Sequence, residues 1–163
     1  MPVTPEQLFA FFDRLGIAHE TITHPPIFTV EEGRDWHDKI PGLHCKNLFI
    51  KDKKDKLWLV VMPGDKRANL GNLEKRLGAA RFSFGKPELL MEVLGITPGS
   101  VTPFALMNDT QKRVTVILDK DLVASELVNF HPLYNAASTT IRSIDLIKFI
   151  KTLGYDPLIA DCG

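Results

Sequence analysis

Cysteine is nearly absent from this chain of 163 residues: there are two, Cys45 and Cys162, far apart and in no CxxC spacing. That excludes a disulfide framework and leaves reduced thiols as the expectation. Net charge is absent as well, because twenty Lys and Arg balance twenty Asp and Glu. No global positive field can hold nucleic acid non-specifically, although a local basic patch stays open. Long apolar runs are missing too. The longest, Leu57 to Met62, is six residues, where a membrane helix needs roughly 20. The opening Met-Pro-Val-Thr-Pro-Glu-Gln has neither the basic nor the apolar stretch of a secretory signal. A cytoplasmic protein without membrane contact is expected. GxGxxG, the Walker loop, HExxH and the GxSxG elbow do not occur.

What remains is a globular composition, 44% apolar and 25% charged, with eleven Gly and eleven Pro spread along the chain. A mass of 18.3 kDa and the lack of any linker or repeat point to one domain over residues 1–163. Thr4, Pro5 and Gln7 form a capping box, Leu8, Phe11, Phe12 and Leu15 mark an apolar face, and Gly16 ends that helix. Ala18 to Thr23 reads as a strand, and Thr29 to Glu32 as a second capping box opening a helix to about Lys39. Lys46 to Lys51 and Lys56 to Met62 read as a hairpin around Asp52-Lys-Lys-Asp55. Helices are expected over Asn69 to Leu77, Pro87 to Leu94, near Asp121 to Val128 and after Ser143. Further strands are expected over Arg81 to Phe84, Val101 to Met107, Arg113 to Leu118 and Ala137 to Arg142. Hairpins exclude a purely parallel doubly wound sheet. The fold class is α/β, with a mixed, partly barrel-like sheet and helices packed around it.

Three places could carry chemistry. Lys46-Asn47-Leu48-Phe49 sets a cation and an amide where an apolar strand begins, although a lysine there also serves as a plain polar flank. Gly95-Ile-Thr-Pro-Gly99-Ser-Val-Thr-Pro103 is a Gly/Pro loop able to expose backbone groups to a ligand. Phe130-His131-Pro132 holds a histidine that lines a pocket or closes a turn. Cys45 beside Lys46 is either an activated thiol or a small packed residue. His37, His44 and Cys45 match no usual zinc spacing, and no metal is expected.

Taken together, His24-Pro25-Pro26, Thr29-Val-Glu-Glu32, Lys46-Asn47-Leu48-Phe49, Asp65-Lys66-Arg67, Gly99-Ser-Val-Thr-Pro103-Phe104 and His131-Pro132 resemble the YbaK and prolyl-tRNA-synthetase editing-domain superfamily. Within it, the chain is most similar to the freestanding Ala-tRNA(Pro) deacylases, the ProXp-ala or PrdX branch. The match in order and spacing runs from about residue 5 to 155.

The resemblance implies a trans-editing hydrolase that cleaves the ester of Ala-tRNA(Pro) and spares Pro-tRNA(Pro). A synthetase pocket built for proline rejects something smaller by only roughly 1–3 kcal/mol, so a second site must clear the error. It further implies Lys46 as the catalytic lysine, stabilising negative charge as water attacks, and backbone groups of the loop from Gly99 through Ser100 to Pro103 beside it. Asn47 would orient the substrate, and Val30 and His131 would bound the pocket for the alanine methyl. Lys51, Lys66, Arg67 and Arg81 would touch the tRNA acceptor end, with strong salt sensitivity. No cofactor is implied; a monomer with transient contact to prolyl-tRNA synthetase is. The helix expected before Lys46, weakened by Gly33, would act as a lid. Three alternatives stand beside this reading: Cys-tRNA(Pro) or another small aminoacyl-tRNA as substrate, a non-catalytic tRNA-binding module, and a cysteine-dependent hydrolase using Cys45.

Overall fold

The central strand explains the one long apolar run. In the computed structural model, which describes residues 2–26, 32, 36 and 39–163, β3 (Leu57–Pro63) lies between β2 (Leu43–Lys51) and β5 (Val114–Asp119). Leu57, Leu59 and Val61 face a large core, and Trp58, Val60 and Met62 face a smaller one on the other side. A strand buried on both faces has no polar positions to alternate with. The antiparallel β2–β3 hairpin is the expected one, with Lys46 opposite Met62 and Lys51 opposite Leu57.

The sheet is mixed and eight-stranded. Its order runs from β1 (Glu20–Thr23) through β7 (Ala137–Arg142), β6 (Leu127–Phe130), β2, β3 and β5 to β8 (Leu158–Ala160), with β4 (Ser83–Phe84) beside β2. β2–β6, β3–β5 and β5–β8 are parallel, and the other pairs are antiparallel.

Helix α1 (Pro5–Leu15) carries the capping box read from Thr4 and Gln7, and Gly16 closes it at φ 70°. Its Phe12 meets Phe104 and Phe149 edge-on at 5.1 and 5.5 Å. The smaller core lies under α2 (Leu70–Leu77), and α3 (Pro87–Leu94) and α5 (Ser143–Thr152) cover the larger one. Gly42, at φ 92°, opens β2; a Cβ there would stand 3.0 Å from the backbone of Leu127, so only glycine lets β2 and β6 run together.

Several local expectations are corrected. The segment 101–107 is no strand: it forms a 3-10 turn over Pro103–Asn108, after another over Pro98–Ser100. Prolines set those turns, and Phe104, fully buried among Phe12, Phe130 and Phe149, pulls the segment into the core. The helix expected near 121–128 ends early, as α4 (Lys120–Ala124), and its second half is β6. The strand expected over 81–84 shrinks to Ser83–Phe84, and β8 has no counterpart in the sequence reading. The helix expected to run from 29 to 39, its lid role and Val30 lie outside the described residues, apart from positions 32, 36 and 39.

Candidate active site

The site is built on a fork in the sheet. On one edge, β2 pairs with β3 throughout residues 45–51. On its other edge it pairs with β6 only at Leu43 and His44, then with β4 only at Ile50 and Lys51. Gly85 N–H, just after β4, donates to Phe49 O at 2.9 Å. Among the described residues, no strand pairs with this edge of residues 45–48, and strands that part in this way leave a crevice for a ligand.

Lys46 and Asn47 occupy that opening. Asn47 Nδ2 donates to Val101 O at 3.2 Å, which ties the strand to the Gly99–Pro103 loop. The other end of the carboxamide, Oδ1, is buried with no partner among the described residues. Consecutive strand residues point to opposite faces, so Lys46 projects away from Asn47, on the side of His44. Among the described residues its ammonium has neither a hydrogen-bond nor an ion-pair partner.

The loop is held from beneath. Ser100 N–H donates to Thr97 O at 2.9 Å, and Thr102 Oγ1 caps Phe104 N at 3.3 Å. Ser100 and Pro103 are buried and Gly99 is half-buried.

His131 arrives from β6. His44 pairs with Asn129 in parallel register; two residues on, Lys46 continues β2, while His131 is the first residue after β6. Its Nδ1 lies 2.9 Å from Ala137 O. A carbonyl only accepts, so Nδ1 carries the proton and Nε2 is the free acceptor. Burial holds His131 below the usual imidazole range, helped by the nearby His24; the hydrogen bond to Ala137 opposes this only in part.

Cys45 does not provide a nucleophile. Burial pushes its thiol far up, Asp119 adds to that, and a backbone hydrogen bond from Asn129 offsets little. The sulfur donates to Leu43 O at 3.4 Å. A desolvated thiol is inert, so the cysteine-dependent hydrolase is set aside.

The expected tRNA contacts separate. Lys66 is already engaged: its ammonium sits 2.9, 3.0 and 2.8 Å from carboxylate oxygens of Asp119, Asp121 and Asp161. With three carboxylates around it, it has no need of a phosphate, and it serves to anchor the chain end, where Cys162 N–H donates to Asp119 at 2.9 Å. Lys51 stands about 16 Å along the strand from Lys46, paired with Asp55 at 3.4 Å. It borders a cleft of about 330 Å³ that also holds Glu88 and Glu92, poor company for a phosphate. Arg67 and Arg81 are exposed, and Arg67 borders a cleft of about 470 Å³ with Asn69 and Gly163. Two further residues belong to this neighbourhood, His24, whose ring stands 6.2 Å from that of His131, and Ser138, which meets His24 at 2.9 Å; the one sequence signal for them is the His24-Pro25-Pro26 motif.

Among the described residues, an ammonium without a partner, a carboxamide tied to the Gly99–Pro103 loop and an imidazole held below its usual range stand where strands of a mixed α/β sheet part. The chain belongs to the aminoacyl-tRNA editing domain family, whose model matches residues 24–149. It is 38% identical over 156 residues to the prolyl-tRNA synthetase associated domain-containing protein 1 of Danio rerio, covering 94% of this chain and 85% of that protein. It is 33% identical over 150 residues to the prolyl-tRNA editing protein ProX of Acetoanaerobium sticklandii, covering 91% and 92% respectively. The solved structure of a candidate trans-editing enzyme for prolyl tRNA synthetase matches with a TM-score of 0.72 at 19% identity, covering 99% of this chain and 98% of that one; this is a likeness of fold. The chain is an aminoacyl-tRNA deacylase.

Proposed function

We propose that this deacylase works in trans on tRNA(Pro) carrying alanine, releasing alanine and free tRNA and sparing Pro-tRNA(Pro). The link to tRNA(Pro) is supported by similarity to the prolyl-tRNA editing protein ProX. The observation that carries the chemistry is the Lys46 ammonium at the β2 fork, without a partner among the described residues, one residue from the Asn47–Val101 clamp.

Hydrolysis needs three things of the chain. Water oxygen bonds to the ester carbonyl carbon, the carbon–ribose oxygen bond breaks, and a proton passes to the ribose oxygen. Lys46 stabilises the charge that develops on the carbonyl oxygen. The Asn47 Oδ1 acceptor and the Gly99–Pro103 backbone orient the aminoacyl end, and His131 closes the pocket. An aminoacyl ester is activated enough that no protein nucleophile is called for. Arg67 and Arg81 remain the exposed cations for the acceptor end, in a cytoplasmic monomer that meets prolyl-tRNA synthetase transiently.

The test is hydrolysis of Ala-, Cys-, Ser- and Pro-tRNA(Pro) side by side, with wild type and Lys46→Ala. Loss of alanine alone, abolished in the variant, supports the proposal. Preferential release of cysteine or serine replaces the substrate, and hydrolysis of Pro-tRNA(Pro) defeats the size argument.

A further inference from the structure

Two imidazoles meet where β7 begins. His24 follows β1 directly and is buried, 8% exposed. Its backbone N–H donates to Ala136 O at 3.0 Å. Its Nδ1 lies 2.8 Å from Pro25 O and its Nε2 2.9 Å from Ser138 Oγ. The Pro25 carbonyl only accepts, so Nδ1 carries the proton, and Nε2 accepts from the Ser138 hydroxyl. The same reasoning makes His131 an Nδ1–H tautomer through Ala137 O, with an Nε2 that has no partner among the described residues. The rings stand 6.2 Å apart at 58°, and Trp36 lies against the other side of His24 at 5.4 Å.

Nothing in the hydrolysis described above uses His24. Burying a histidine means desolvating two ring nitrogens, a cost an apolar side chain would not incur. Here both are met, from the Pro25 carbonyl and from β7, the strand that supplies the Ala137 carbonyl fixing His131. We propose that His24 is a positioning residue of the editing site: clamped by Pro25 O and Ser138 Oγ, its ring backs His131 and keeps it the Nδ1–H tautomer whose Nε2 accepts a hydrogen bond from the aminoacyl end of the substrate. This rests on the deacylase reading above. Besides His24, the titratable groups of the neighbouring strand on this face are His44 and Lys46 of β2.

The experiment follows imidazole nitrogens by NMR in the full chain, labelled with nitrogen-15, and the pH profile of Ala-tRNA(Pro) hydrolysis. Wild type, His24→Gln and Ser138→Ala are compared. In wild type both histidines should be Nδ1–H tautomers at pH 7.5. In His24→Gln the His131 titration midpoint should rise, because the neighbouring imidazole, whose proximity disfavours a second positive charge, is gone. The acid limb of kcat/KM should move with it, and kcat/KM at pH 7 should fall about tenfold, the worth of one hydrogen bond. Ser138→Ala should reduce kcat/KM in the same direction and leave His24 without its donor. An unchanged His131 tautomer, midpoint and acid limb in folded variants would overturn the proposal. Should His24→Gln fail to fold, Ser138→Ala, which deletes one hydroxyl, carries the same comparison. A wild type inactive on every aminoacyl-tRNA would instead overturn the deacylase reading, and the NMR comparison would still decide whether His24 sets His131.

Discussion

Asn47 donates to Val101 O at 3.2 Å through one end of its carboxamide and leaves the other end, Oδ1, buried and unmet among the described residues. One side chain therefore both fixes the loop and holds an acceptor that no described residue satisfies, which the proposed function gives to the substrate. Asn47→Ala should lower kcat/KM by about tenfold or more, the loss of one well-placed hydrogen bond. Its melting temperature should stay close to wild type, because an unsatisfied buried acceptor leaves along with the bond. Steady-state kinetics beside calorimetry check this.

Lys46→Ala should cost far more activity, roughly 10²–10³-fold in kcat, the usual range for removing one group that stabilises an oxyanion. With no partner to orphan among the described residues, the variant should fold normally. Single-turnover deacylation and circular dichroism separate the two effects.

Cys45→Ser should keep its activity within about twofold, and alkylating reagents should react slowly, because burial keeps the thiol protonated. Rapid inactivation by a thiol reagent would contradict this.

The Lys66 cage predicts a stability effect. Lys66→Met leaves the fully buried Asp119 carboxylate without its cation, a loss of about 2 kcal/mol once partial exposure is allowed for. Proteolysis should then reach β8 first. The pH window follows from the three partners. Burial works against Asp119, but the Cys162 N–H and Lys66 outweigh it and hold it low; Lys66 holds Asp161 at about 2. Burial also works against Lys66, and its hydrogen bonds to Asp161, Asp119 and Asp121 outweigh it and raise it. The cage is therefore intact from about pH 4 to about pH 10. It weakens below that window as carboxylates protonate, and above it as the ammonium is lost. Urea unfolding across pH, wild type against Lys66→Met, should show the difference between the two proteins shrinking at both ends.

His131 should set an acid limit on activity. Its folded value lies below the usual imidazole value of about 6.5. The neutral form is therefore in place at pH 7, and the associated stability is present above about 6.5 and lost as pH falls. Deacylation should be flat in this group from about pH 6.5 to 8 and decline in acid, and His131→Asn should remove that limb.

Local signals were legible wherever they act over a few residues. The Thr4–Gln7 box, the Gly16 stop and the β2–β3 hairpin stand as read, since caps and turns depend on neighbours in the chain. Segment 101–107 misled because its apolar residues are buried by a distant aromatic cluster and not by strand pairing. β6 and β8 are short, and each exists because a remote strand offers it an edge.

The sequence alone determined the class of fold, the family, and the residue types that stand ready: a lysine and an amide at a strand start, a Gly/Pro loop, and a histidine before proline. The tertiary structure alone decided which of those charges are free. Lys46 and Lys66 are both lysines beside apolar strands, but the first stands where β2 loses its neighbour and the second is surrounded by Asp119, Asp121 and Asp161, residues 53 to 95 positions away. Partners that distant are fixed by how the parallel strands align, and no local pattern encodes that alignment.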